Sequence, residues 1–128
     1  MRFDFKLNKG VAKFRFRTDK DDIKQIENLK FSMNNIEIYV DLGDHFDDRD
    51  LHPDLVCLAA ILLSGPFIGS KLEIPFGISE DFFNEATNVI SRYKLVPKKG
   101  FVAPIGKRES GRPGLAYSGG ADSSAALA

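Results

Sequence analysis

Near its end the chain reads Leu115-Ala116-Tyr117-Ser118-Gly119-Gly120-Ala121-Asp122-Ser123-Ser124, followed by Ala125-Ala126-Leu127-Ala128. An apolar triplet, a Ser-Gly-Gly turn and an Ala/Leu run of high helix propensity predict a strand, a tight turn and a helix N-terminus. Two adjacent glycines let the backbone approach a ligand with no side chain in between. The free N–H groups of a helix N-terminus suit a phosphate. The stretch therefore predicts a phosphate-binding turn.

The motif within this stretch, Ser118-Gly119-Gly120-Ala121-Asp122-Ser123, resembles the SGGxDS signature of the PP-loop ATP pyrophosphatases. These α/β enzymes cleave ATP to AMP and pyrophosphate, usually to adenylate a substrate. The resemblance covers residues 115–128 only. It implies that ATP, with Mg²⁺, is the cofactor and that Asp122 orders the loop or approaches the metal. The phosphate ligands that it implies are Ser118, Gly119, Gly120, Ala121, Asp122, Ser123 and Ser124.

The position of the motif suggests how the chain is organised. A nucleotide-binding α/β domain needs several parallel strands with crossover helices, so we expect the chain to be an N-terminal piece of a longer enzyme, inactive as given. Residues 1–96 are then an α+β accessory or substrate domain, and residues 115–128 begin the truncated ATP-binding domain. Residues 97–114 contain seven Gly or Pro and five basic residues, which indicates a linker.

Charge and composition narrow the expected partners. The net charge is zero, with −3 over residues 1–97 and +3 over residues 98–128. A near-neutral N-terminal domain disfavours nucleic acid, without ruling it out, and favours a small or soluble substrate. The remainder of the catalytic domain is a further expected partner, and self-association stays open. The alternative function is a non-catalytic recognition or dimerisation module in which the loop is at most a vestigial anion site.

The pattern of residues 1–96 predicts a small mixed or antiparallel sheet with packed helices. Two alternating segments, 3–7 and 12–16, flank the turn residues Asn8-Lys9-Gly10 and predict a hairpin with an aromatic core face and a cationic solvent face. Base stacking by the interleaved phenylalanines is the weaker alternative. Further strands are expected over residues 36–40 and 71–76. Helices are expected over 19–29, from Pro53 to 63, and from the cap Ser79 to about Tyr93.

The most polar stretch, residues 41–54, contains six aspartates and two histidines. Carboxylates and imidazoles are metal ligands, so Asp44, His45, Asp47 and Asp48 are weak metal candidates, together with Asp122 in the loop. The spacing fits no ligand template. A structural interpretation is favoured, in which His52 caps the helix that starts at Pro53 and Asp50 and Asp54 lie at its positive end.

The remaining features point to a cytoplasmic protein. Hydrophobic residues make up 43% of the chain, and eleven Phe and three Tyr are ample for a core. The single cysteine, Cys57, lies in an apolar run and is expected to be a buried core thiol. The N-terminus alternates charged and apolar residues, unlike a signal peptide. The longest apolar run, residues 55–63, is too short to cross a membrane, so no membrane partner is expected.

Overall fold

The computed structural model describes residues 1–23, 32–43 and 51–104. They form a mixed five-stranded sheet with two helices on one face, which confirms the predicted α+β class. The elements are β1 (Arg2–Asn8), β2 (Val11–Arg17), β3 (Glu37–Asp41), α1 (Pro53–Ser64), a 3₁₀ turn (Gly65–Phe67), β4 (Lys71–Ile74), α2 (Glu80–Val89) and β5 (Lys94–Pro97). The strand order is β3-β2-β1-β4-β5. β2 is antiparallel to both β1 and β3, whereas β4 is parallel to both β1 and β5.

The hairpin of β1 and β2 forms as predicted and supplies the centre of the core. Lys9 and Gly10 have φ angles of 47° and 72°, the two positive values of a type I′ turn. This two-residue turn fixes the register, so every aromatic side chain of the hairpin lies on the inner face, where the helices pack. The four inner rings, with closest centroids 5.1 Å apart, belong to Phe3, Phe5, Phe14 and Phe16.

The two helices begin at the capping residues that the sequence predicts. His52 caps α1 by accepting the N–H of Asp54, with Pro53 in the first turn. Ser79 caps α2 by accepting the N–H of Phe82. α1 contributes Val56, Cys57 and Ala60 to the core, and Cys57 is buried as predicted.

The region after α2 differs from the prediction. The helix ends at Val89 rather than near Tyr93, and the Val89 side chain is 82% exposed. The chain then forms β5, a strand that the sequence pattern did not predict. β5 pairs in parallel with β4 and buries Leu95 beside Leu72. The stabilisation from this strand pairing and burial outweighs the local helix propensity.

Residues 19–23, which follow β2, are held in place by contacts with the first residue of the chain. The α-ammonium of Met1 donates to the carbonyl of Lys71 at 2.8 Å and lies 2.9 Å from a carboxylate oxygen of Asp22. The other oxygen of Asp22 accepts the N–H of Gly69 at 2.8 Å. Residues 19–23 form turns at this point, and the rest of the helix predicted over 19–29 falls outside the described residues.

Candidate functional site

None of the predicted ligand-binding residues falls within the part of the chain that the structure describes. The phosphate loop (Ser118, Gly119, Gly120, Ala121, Asp122, Ser123 and Ser124) and the metal candidates Asp44, His45, Asp47 and Asp48 lie outside it. These assignments therefore stay predictions. Residues 1–23, 32–43 and 51–104 contain no group of three or more His, Cys, Asp or Glu side chains that could hold a metal ion.

One polar cluster in the described domain is buried between the N-termini of the two helices. Asp54, only 5% exposed, accepts the N–H of Ser79 at 2.8 Å and its hydroxyl at 2.6 Å. The Ser79 hydroxyl in turn accepts the N–H of Phe82 at 3.2 Å. A carboxylate at this position is stabilised by the positive N-terminal ends of both helix dipoles. We call Asp54, Ser79 and His52 the helix-cap cluster.

His52 connects the helix-cap cluster to the segment that follows β5. Its Nδ1 accepts the N–H of Asp54 at 3.2 Å and lies 3.4 Å from a carboxylate oxygen of the same residue. The Nε2 of His52 lies 2.9 Å from the carbonyl oxygen of Ala103 and donates to it. A parallel bridge between Ser79 and Val102 holds the same segment. Residues 98–104, the start of the predicted linker, are thus attached to the domain.

Serine, histidine and aspartate side chains meet in this cluster, but their order is wrong for nucleophilic catalysis. The Ser79 hydroxyl bonds to the carboxylate instead of to the imidazole, and Ser79 is only 2% exposed. Every buried side-chain nitrogen and oxygen of the described residues has a hydrogen-bond partner. Burial, followed by the charge of Asp54, raises the pKa of the neighbouring Cys57 to about 12. The cluster therefore acts as a structural connection.

The outer face of the sheet, which we call the open face, differs from the helix-cap cluster in the number and sign of its charges. Its side chains comprise eight cations (Arg2, Lys6, Lys13, Arg15, Arg17, Lys71, Lys94 and Lys98) and four carboxylates (Asp4, Glu37, Asp41 and Glu73). The rest of the described residues hold four cations and seven carboxylates. The described domain is close to neutral in total, but its charge is segregated, with the positive excess on the open face.

A cleft of about 530 Å³ opens in this face beside the hairpin. β1 is in parallel register with β4 at Arg2 and Glu73, and β4 ends where Pro75 cannot donate to the ladder. We call this space the cationic cleft. Its walls are Asp4, Phe5 and Lys6 from β1, Lys13, Arg15 and Arg17 from β2, and Pro75 and Phe76 after β4.

The cations of the cationic cleft differ in how they are paired. Arg17 donates to Asp4 at 2.6 Å, while Lys13 and Arg15 share Glu37 on β3. Hydrogen bonds from Lys13, Tyr39 and Arg15 lower the pKa of Glu37 to about 2, so Glu37 is ionised at neutral pH. Lys6 has no ion-pair partner among the described residues. The cleft therefore holds positive charge that its own carboxylates leave uncompensated.

The sequence pattern gave part of this site. It predicted the cationic face of β2, and the hairpin register that places Lys6 opposite Lys13 follows from the two-residue turn. The wall at Pro75 and Phe76 could not be found in this way, because it depends on the parallel pairing of β1 with β4, which are more than sixty residues apart in the chain.

Comparison with known proteins finds no matching family model, and no curated protein or solved structure is significantly similar to the chain. Neither of the described helices is both long and apolar enough to cross a bilayer.

Proposed function

We propose that this chain is an N-terminal part of an ATP pyrophosphatase of the PP-loop type, in which residues 118–124 hold the phosphates of Mg²⁺-bound ATP. The observation that carries the proposal is the Ser-Gly-Gly-Ala-Asp-Ser motif between an apolar triplet and an Ala/Leu run. Backbone N–H groups from Gly119 to Ser124 would surround the phosphates as an anion nest. The hydroxyls of Ser118 and Ser123 would donate to phosphate oxygens.

In this proposal catalysis comes from charge neutralisation and positioning. A substrate oxygen attacks the α-phosphorus of ATP, the bond to the bridging oxygen breaks, and pyrophosphate leaves with both electrons of that bond. Oriented N–H groups from Gly119 to Ser124 would stabilise the charge that develops on pyrophosphate, and a bound Mg²⁺ would supply further positive charge there. The adenylated substrate and pyrophosphate are the products, and hydrolysis or displacement then releases AMP.

The described domain fits the role of an accessory or substrate domain. Its sheet and helices form a folded unit whose polar interior is fully hydrogen-bonded within the described residues. The segment leading toward the motif is attached through Val102 and Ala103 to the N-terminal ends of α1 and α2. The proposed ATP-binding residues follow this attached segment in the sequence.

The test is Mg²⁺-dependent ATP binding by the protein expressed from its whole natural reading frame. Ser118→Ala and Asp122→Ala should each weaken ATP binding by about tenfold or more, because each removes a charge-assisted contact in the loop. The matched controls are Ser91→Ala and Asp81→Ala, which change exposed residues of the described domain. Equal ATP affinity in all four variants would contradict the proposal.

A second candidate function is the non-catalytic recognition or dimerisation module. The observation in its favour is the outer side of α1, where Leu55, Leu58 and Leu62 are 47%, 42% and 74% exposed. Exposed apolar side chains that cluster on one helix face are typical of a protein contact surface. If ATP binding is absent and Leu58→Ser with Leu62→Ser abolishes self-association or partner binding, this function replaces the enzyme.

A further inference from the structure

The cationic cleft is built with like charges directly opposite each other. The register of the hairpin places Lys6 across from Lys13 within the cleft, and it places Arg2, just outside the lining residues, across from the cleft residue Arg17. Like charges at facing positions of an antiparallel pair destabilise the sheet. Neither pair is required by the core, since all four side chains lie on the open face. An arrangement that weakens the free protein in this way is favourable when an anion binds between the strands.

The charge of the cationic cleft defines the kind of anion. Four cations line it, namely Lys6, Lys13, Arg15 and Arg17, and Asp4 is the one carboxylate in its walls. Glu37, bonded to Lys13 and Arg15 from the neighbouring strand, compensates one more positive charge. A net charge of +2 remains. A phosphate monoester carries −1.5 to −2 near pH 7 and three acceptor oxygens, which matches this excess.

The shape and the apolar wall define the rest of the ligand. A volume of about 530 Å³ is in the range of small-molecule sites and is far larger than an inorganic phosphate needs. Pro75 and Phe76 form an apolar side to the cleft, and the Phe76 ring is held edge-on against Phe3 with centroids 5.8 Å apart. A flat apolar group attached to the phosphate can therefore pack on a surface that is already ordered.

We propose that the cationic cleft binds a small organic phosphate monoester, with its phosphate at Lys6, Arg15 and Arg17 and its apolar group against Pro75 and Phe76. Arg17 is bonded to Asp4 in the free protein, so the ligand competes with that carboxylate and binding is sensitive to salt. The residues of this site are different from those of the proposed ATP loop, and the proposal does not rest on that loop.

The experiment is an amide NMR titration of the ¹⁵N-labelled protein with phenyl phosphate, inorganic phosphate and benzenesulfonate at pH 7.5. Phenyl phosphate should bind with a dissociation constant below about 1 mM, corresponding to more than about 4 kcal/mol. Amide shifts should be largest at residues 4–6, 13–17 and 76–77, since Pro75 has no N–H. Inorganic phosphate, which lacks the ring, and benzenesulfonate, which carries a single charge, should both bind more weakly.

Matched variants localise the effect. Lys6→Gln should weaken phenyl phosphate binding about fivefold to tenfold, the effect of one charge-assisted contact, and Lys6→Arg should retain most of it. Lys94→Gln removes a cation of the open face outside the cleft and should leave the affinity unchanged. The spectra themselves report whether each variant is folded. Asp122→Ala should also bind normally, which separates this site from the ATP loop.

Two results would overturn the proposal. The first is the absence of saturable shifts with phenyl phosphate up to 10 mM in wild-type protein, about ten times the expected dissociation constant. The second is tight binding of a deoxythymidine decamer that Lys6→Gln and Lys94→Gln weaken equally. That result would assign the whole open face to a polyanion, because phosphate contacts along a nucleic acid backbone contribute alike.

Discussion

The helix-cap cluster and the cationic cleft are both polar, but charge is buried and hydrogen-bonded in the first and exposed and partly uncompensated in the second. In the helix-cap cluster, the single carboxylate of Asp54 receives two hydrogen bonds from Ser79 and is sealed from solvent. In the cationic cleft, the like charges of Lys6 and Lys13 face each other on the solvent side of the sheet. A fully satisfied buried cluster stabilises the fold. An exposed excess of one charge contributes little to folding and is available to a ligand.

The reactivity of Cys57 tests how well the helix-cap region is closed, and we expect the largest effect here. With the pKa of Cys57 raised to about 12, its thiolate population at pH 8 is far below that of a free cysteine. Alkylation of the folded protein by iodoacetamide should be roughly a thousandfold slower than in guanidinium chloride. Equal rates would show that Cys57 opens readily.

Removal of Asp54 should destabilise the fold more than any change on the open face. Asp54→Ala leaves the N–H and hydroxyl of Ser79 without their acceptor in a buried position. The free energy of unfolding should fall by about 2–4 kcal/mol. Urea unfolding followed by circular dichroism measures it, with Asp81→Ala as the control because Asp81 is an exposed carboxylate in the first turn of α2. A loss below that of the control would contradict the structural role.

Ser79 should show a smaller effect that is coupled to Asp54. Ser79→Ala removes the cap of α2 and one of the two bonds to Asp54, and should cost about 1–2 kcal/mol in unfolding free energy. In the Asp54→Ala/Ser79→Ala double variant the losses should not add, because both changes remove the same interaction. Full additivity in urea unfolding would show that the two residues act independently.

Replacement of Glu37, a residue of the open face, should have the smallest effect on stability. Its folded-state pKa is about 2, below the ordinary value of 4.5, so its contribution is present above about pH 4.5 and is lost as the pH falls toward 2. Wild-type protein should therefore lose stability over this range faster than Glu37→Gln, as measured by urea unfolding at several pH values. Glu80→Gln is the control outside the open face. Parallel curves for wild type and Glu37→Gln would contradict the shift.

The sequence allowed the local features to be predicted and missed those that depend on distant pairing. The hairpin turn predicted at Asn8-Lys9-Gly10 and the caps at His52 and Ser79 follow from chemistry within a few residues. All three are confirmed, with the turn centred on Lys9 and Gly10. β5 was missed because residues 94–97 become a strand only when they pair with β4. Because β5 was not predicted, the predicted α2 extended to about Tyr93.

The same distinction applies to the candidate site. Positive and negative residues are nearly equal in number, so composition does not indicate that the charges are segregated. The segregation follows only from the fold, in which five strands place their exposed residues on one face. The predicted ATP loop, by contrast, is a purely local motif, and residues 118–124 lie outside the described residues. Its support comes from the sequence alone, which makes the ATP-binding experiment its necessary test.

One pair of variants tests the central claim that stability and ligand binding are assigned to different polar groups. Unfolding free energy and phenyl phosphate affinity are both measured for Asp54→Asn and Lys6→Gln. Asp54→Asn should lower stability and leave the affinity unchanged, because Asp54 is buried on the helix side of the sheet. Lys6→Gln should lower the affinity and leave stability unchanged or slightly raised, because it relieves repulsion from Lys13. If each variant changes both quantities in parallel, the assignment is wrong.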